Sequence, residues 1–308
     1  MVNAMSLNEN KWLLGFSERR VLRIAHRGAR AFAPENTLPA IELAARLGAD
    51  AVEIDVHQTK DEQVVVTRDD TLSRCRDIAE RFAEANDLFV SSFTLDQLRT
   101  LNAGRWFADQ FKLPVEEREQ YLQLLTAAEI DEYLQPTTLK QFLQGVAIPT
   151  LEECLVLARD LGLLVNVEIK TLPRMYAGIT EQVVDVINHV GAAELTLVSS
   201  FDHQQVLECR RRSEAIATAV VVCERLANVP EYLERLGANA YHPGCYGDFD
   251  SIGIGSLSGK LDTELFDQLR GCGFGSNAWT VNKPDHIDRL RNAGVTGLIG
   301  DFPNRLQP

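Results

Sequence analysis

Cysteine is scarce in this chain: Cys75, Cys154, Cys209, Cys223, Cys245 and Cys272 are scattered through 308 residues. None forms a C-x-x-C pair, which weakens zinc and thiol-redox readings, and a chain this long needs no disulfide staples. Positive charge is also short. Against 44 Asp and Glu stand 31 Lys and Arg, a net charge of −13 and a sequence pI near 5.0. Such a field repels polyanions, so nucleic acid and anionic membrane are excluded as expected partners. A small anionic substrate would need a local basic patch or a cation. No G-x-G-x-x-G or P-loop follows a strand-like run, and there is no internal repeat or low-complexity tract. No apolar run reaches the length of a membrane span. The opening MVNAMSLNENKWLLGF has no basic start and only a short apolar run, unlike a secretory signal. The expectation is a cytoplasmic protein.

What is present is a 45% hydrophobic content and a regular alternation of strand-length apolar runs with helical patterns. The runs fall at residues 21–25, 51–56, 163–169, 195–199, 216–222, 238–241, 276–281 and 297–299. Eight parallel strands with intervening helices predict an α/β fold, a (β/α)8 TIM barrel. An open doubly wound sheet is the alternative. Residues 77–146 break the rhythm. They hold no barrel-type strand, and stretches such as EEREQYLQLLTAAEIDEYLQPTTLKQFLQ keep a helical spacing. The expected organisation is a barrel over 1–76 and 147–308, with a small, mostly helical insertion at 77–146 over the catalytic face.

In such a barrel, side chains at the carboxyl ends of strands converge on one pocket. His26 and Arg27 end the first strand. Glu53 and Asp55, two residues apart on the second, share a face. Glu168 and Lys170 repeat that spacing on the next parallel strand, and Phe201, His242 and Trp279 stand at later strand ends. Three facing carboxylates without cysteine favour a hard divalent cation, Mg²⁺ or Ca²⁺. A salt-bridge network with Arg27, Arg68 and Lys170 is the competing explanation. Arg27 and Lys170 suit phosphate oxygens. His26 is a candidate acid or base, since imidazole titrates near neutral pH. Phe201 and Trp279 would line the leaving-group side or pack the barrel mouth. If Asp61-Glu62 centres a hairpin turn, Arg68 lies across from Asp55 and reaches the same site.

These residues resemble the glycerophosphodiester phosphodiesterase family. The blocks HRGA and PENT within 26–37, GADAVEIDVHQTKDEQVVV at 48–66 and LNAGRWF at 101–107 are similar to the family's motifs. So are IPTLEECL at 148–155, VEIK at 167–170, SSFD at 199–202, WTVN at 279–282 and GLIGDFP at 297–303, all in the family's order. The resemblance implies a TIM barrel that hydrolyses glycerophosphodiesters to sn-glycerol 3-phosphate and an alcohol with a divalent cation. It implies Glu53, Asp55 and Glu168 as metal ligands, Arg27 and Lys170 as phosphate contacts, and His26 as one of two acid/base histidines. The second departs from the pattern. Where the family reads V-V-x-H-D-x-T-L-x-R, this chain has Arg68 in place of His. An arginine binds an oxyanion but cannot shuttle a proton. His57 is a nearby substitute that alternation turns away. Three readings follow: a slow or altered phosphodiesterase, a catalytically impaired barrel that binds glycerophosphodiesters, and, more distantly, a Schiff-base enzyme using Lys170.

Overall fold

The computed structural model describes residues 10–307 except 19, 76, 172 and 245–253. The Cys245 noted in the sequence lies outside them. Among the described residues no disulfide forms, and Cys75, Cys154 and Cys209 are buried.

Nine strands are described: β1 (Leu22–His26), β2 (Ala51–Gln58), β3 (Val64–Val66), β4 (Leu164–Ile169), β5 (Thr196–Ser200), β6 (Ala217–Val222), β7 (Ala240–Pro243), β8 (Gly275–Ala278) and β9 (Gly297–Gly300). Eight are parallel neighbours. Because β1 pairs with both β2 and β9, the sheet closes into the (β/α)8 barrel that the apolar runs predict. The ninth, β3, is an antiparallel arm folded back on β2. Alternation sorts β2 cleanly. Val52, Ile54 and Val56 face outward into the core beneath the helices, while Ala51 belongs to the cluster inside the barrel.

The helices begin where the sequence supplies caps. Thr150 and Glu153 form a capping box at helix Leu151–Asp160, and Pro39 occupies the first turn of helix Leu38–Arg46. A short helix, Lys11–Ser17, closes the amino-terminal end of the barrel. Its Trp12 is fully buried with Leu22, Ile24, Ala51, Leu197 and Ile299, and its indole N–H donates to the Leu195 carbonyl at 2.9 Å. The amide of Asn10 donates to the carbonyls of Ala193, Thr196 and Ala215.

Residues 77–146 form short helices, among them Arg105–Gln110, Ala127–Tyr133 and Pro136–Gln144. Their Trp106, Phe107, Leu122, Leu134 and Phe142 share one apolar cluster with Ile41, Ile54 and Leu155 of the barrel. None of the helices among the described residues is long and apolar enough to cross a membrane.

Candidate active site

The turn after β1 fixes the first site residues. Arg27 and Gly28 both adopt positive φ, 55° and 79°. A Cβ at position 28 would stand 2.7 Å from the Ala40 backbone, so glycine is required where the turn meets the following helix. The turn aims the Arg27 N–H at Glu53 Oε2, 3.0 Å away. The segment that follows is a frame. Asn36 donates from Nδ2 to Asp55 Oδ2 at 2.9 Å, and its Oδ1 accepts the Asp55 N–H at 3.1 Å. Glu35 gathers three guanidinium groups: Arg27 at 3.1 Å, Arg30 at 2.9 Å and Arg74 at 2.6 Å. Burial opposes its charge, but Arg27, Arg30 and Arg74 outweigh burial and hold the carboxyl well below its ordinary range.

Glu53 and Asp55 on β2 and Glu168 on β4 bring one carboxylate oxygen each to within 4.8 Å of one another, all buried. The register pairs Asp55 with Glu168. Lys170 Nζ sits 2.5 Å from Glu168 and 3.2 Å from Asp55, and Arg27 Nε is 3.1 Å from Asp55. Burial opposes the Asp55 charge, yet Lys170 and Arg27 keep its carboxyl low. Glu53 differs. Burial, then Asp55 and Glu168, push its carboxyl well above the ordinary value. Glu53 Oε1 is buried with no hydrogen-bond partner among the described residues. Burial also raises Glu168 despite Lys170. A set of hard oxygen donors with one orphaned atom and more negative charge than its cations balance fits a divalent cation. The ion-pair network therefore exists around Asp55 but leaves Glu53 unsatisfied. Lys170 is pinned as an ammonium between two carboxylates and pushed above its ordinary value, burial notwithstanding, which argues against a Schiff-base amine.

His26 ends β1 with Nδ1 2.6 Å from Asp301 Oδ1 and Nε2 3.9 Å from Glu53 Oε2. Burial and the Arg27 charge lower the imidazole to about 4, with Asp301 working the other way. On the far wall, Phe201 meets Trp279 edge-on with centroids 5.4 Å apart. The Trp279 N–H donates to the His242 carbonyl at 2.9 Å. Burial lowers His242 to about 3, and its Nε2 lies 2.9 Å from the Asn277 amide. His26, Arg27, Glu53, Glu168, Lys170 and Arg68 line one cavity of about 120 Å³ with these three far-wall residues. Asp55 lies behind it, covered by Arg27 and Lys170.

The hairpin expectation needs correction. Val56 pairs with Val66, and the Thr67 N–H donates to the Asp55 carbonyl, so Thr67 rather than Arg68 stands opposite Asp55. The loop has three residues, Lys60 to Glu62, instead of two, and Glu62 adopts φ 61°. The extra residue shifts the register by one. The Arg68 side chain is 49% exposed at the cavity mouth and pairs with Asp69 at 2.9 Å, not with Asp55. His57 is unavailable as a substitute. Its Nδ1 meets the Tyr176 hydroxyl at 2.7 Å and its Nε2 meets the Arg68 carbonyl at 3.1 Å. The residues that sequence reasoning passed over are Glu35, Asn36, Asn282 and Asp301. All four lie inside the motif blocks PENT, WTVN and GLIGDFP.

Comparisons with known proteins bear on the family and the fold. The family model described as the glycerophosphoryl diester phosphodiesterase family matches residues 26–305. A glycerophosphodiester phosphodiesterase of Caldanaerobacter subterraneus subsp. tengcongensis is 28% identical over 287 residues, 93% of this chain and 96% of that protein. One from Bacillus altitudinis is 28% identical over 282 residues, covering 91% and 94%. Among solved structures, an Oleispira antarctica phosphodiesterase in complex with the product sn-glycerol-3-phosphate shares the fold. Its TM-score is 0.69 at 24% identity, with 95% and 97% of the two chains covered. With the match running from the first site histidine to beyond Asp301, the chain belongs to the glycerophosphoryl diester phosphodiesterase family.

Proposed function

We propose that this protein hydrolyses glycerophosphodiesters to sn-glycerol 3-phosphate and an alcohol, with a divalent cation held by Glu53, Asp55 and Glu168. The observation that carries the reading is the orphaned Glu53 Oε1 within a carboxylate trio, in the same cavity as His26 and Lys170. A bound Mg²⁺ or Ca²⁺ would supply Lewis-acid polarisation of the phosphoryl oxygens. The rest is done by the chain. Lys170 and Arg27 face the substrate's phosphate with positive charge. His26 accepts the proton of the attacking water or substrate hydroxyl through Nε2. The oxygen of that nucleophile bonds to phosphorus as the bond to the alcohol oxygen breaks; when the nucleophile is the substrate hydroxyl, water then attacks the cyclic phosphate and breaks its ring P–O bond to give the monoester. The aromatic wall of Phe201 and Trp279 would select the alcohol.

The Arg68 guanidinium offers N–H donors to a departing oxyanion but serves poorly as a proton donor to it. Turnover of alkyl diesters is then slow. A metal-dependent assay on glycerophosphocholine tests the reading. Arg68→His raises kcat by about 10²–10⁴-fold, the usual worth of a general acid. His26→Ala abolishes activity. If neither substitution changes the rate, the assignment is wrong. The half-exposed Arg68 also favours one rival, a barrel that binds these diesters without turning them over. Calorimetric binding at saturating metal with no product formed selects that rival.

A further inference from the structure

The contact that matters most beyond the cavity is behind His26. Asp301 is 2% exposed and follows β9. Its Oδ1 lies 2.6 Å from His26 Nδ1, and its Oδ2 accepts from Asn282 Nδ2 at 2.7 Å. The Asn282 amide cannot turn over, because its Oδ1 accepts the Asp301 backbone N–H at 2.9 Å. A flip would set two donors face to face. Asn282 therefore always presents an N–H to one oxygen of Asp301. Arg30 Nη1 stands 3.5 Å from Oδ1, a cation beside the carboxylate.

We propose that Asp301 is a positioning residue and Asn282 its clamp, together holding His26 in the tautomer whose Nδ1 carries the proton and whose Nε2 lone pair faces the cavity. The inference rests on the phosphodiesterase reading for its purpose, but its geometry can be tested apart from turnover. The clamp makes the substitution Asp301→Asn informative. With Asn282 fixed as a donor, the new amide must turn its oxygen to Asn282 and its NH₂ to His26. Nδ1 then accepts, the ring proton moves to Nε2, and the base is lost. Arg30, 3.4 Å from Nδ1, offers a second donor in the same sense. Exchanging the two residues reverses this. In Asp301→Asn/Asn282→Asp, the carboxylate at 282 accepts both the residue-301 backbone N–H and the new amide NH₂. The amide oxygen then returns to His26, restoring the Nδ1–H tautomer.

The experiment pairs steady-state kinetics on glycerophosphocholine with ¹⁵N NMR of the histidine ring nitrogens in the metal-loaded protein. The wild type shows His26 protonated at Nδ1. Asp301→Asn moves the proton to Nε2 and lowers kcat by about 10²–10⁴-fold with KM little changed. The double exchange returns the resonance and recovers most of the rate. A merely structural Asp301 predicts additive damage in the double variant. Three results overturn the proposal: an Nε2-protonated His26 in the wild type, an unchanged tautomer in Asp301→Asn, or no recovery in the exchange. The wild-type spectrum decides the matter even if Asp301→Asn fails to fold. If the wild type turns over no diester, the phosphodiesterase reading falls, while the spectra still decide the relay.

Discussion

The two ends of the barrel interior are built from the same alternating strand positions and reach opposite solutions. At the amino-terminal end, Leu22, Ile24, Ala51, Leu197, Ala219 and Ile299 share one apolar cluster with Trp12, whose indole N–H is satisfied by the Leu195 carbonyl. The nearby Asp50 carboxylate, just before β2, is gripped by the Arg23 backbone N–H, Nε and Nη2 at 2.8–2.9 Å. Further along three strands the interior turns polar: His26 two residues after Ile24, Glu53 two after Ala51, and Glu168 four after Leu164 on β4. There Glu53 Oε1 has no partner and its carboxyl resists ionising. One end holds the barrel together. The other crowds buried carboxyl groups that a bound cation would relieve.

The sharpest way to break this contrast is Glu53→Gln. It should abolish metal-dependent turnover, a loss of at least about 10³-fold, about 4 kcal/mol of transition-state stabilisation. It should also raise the melting temperature of the metal-free protein at pH 7, because the fold then no longer has to keep un-ionised a carboxyl that ionises freely on unfolding. A lowered melting temperature would show that Glu53 supports the fold. Trp12→Ala should do the reverse. It should cost about 3–5 kcal/mol in urea unfolding through the cavity left behind, with kcat per folded molecule unchanged. The smallest effect is at Asp50. Burial would raise its carboxyl, but hydrogen bonds from Arg23 lower it. A lowered folded value stabilises above the ordinary carboxylate pKa of about 4 and is lost as pH falls below it. Asp50→Asn should therefore remove about 1 kcal/mol at pH 7 and flatten the acid limb of the stability profile below about pH 4. An unchanged acid limb would mean that Arg23 and Asp50 are not coupled in solution.

The barrel was legible because most of its buried parallel strands carry short apolar stretches between polar turns, as in Ala219–Val222 within β6. The gathering of the carboxylates was legible too, since a spacing of two on adjacent strands suffices. What escaped has local physical causes. The position of Arg68 depended on one residue of loop length, and Glu62 takes a left-handed backbone with no glycine to announce it. Asp301 is 275 residues from His26, and nothing near it in sequence marks it as that ring's neighbour. The role of Trp12 as a barrel plug was hidden because a single tryptophan in a short helix has no period to read.

Closure of the sheet through β1 and β9 has a consequence in time. A chain emerging from the ribosome presents His26 early, but the seam beside it stays open until residues 297–301 are released. Until then the imidazole has no anchor and the carboxylate trio no finished enclosure. A polypeptide stalled before its ninth strand carries Glu53, Asp55 and Glu168 yet lacks both the closed sheet around them and the carboxylate that meets His26.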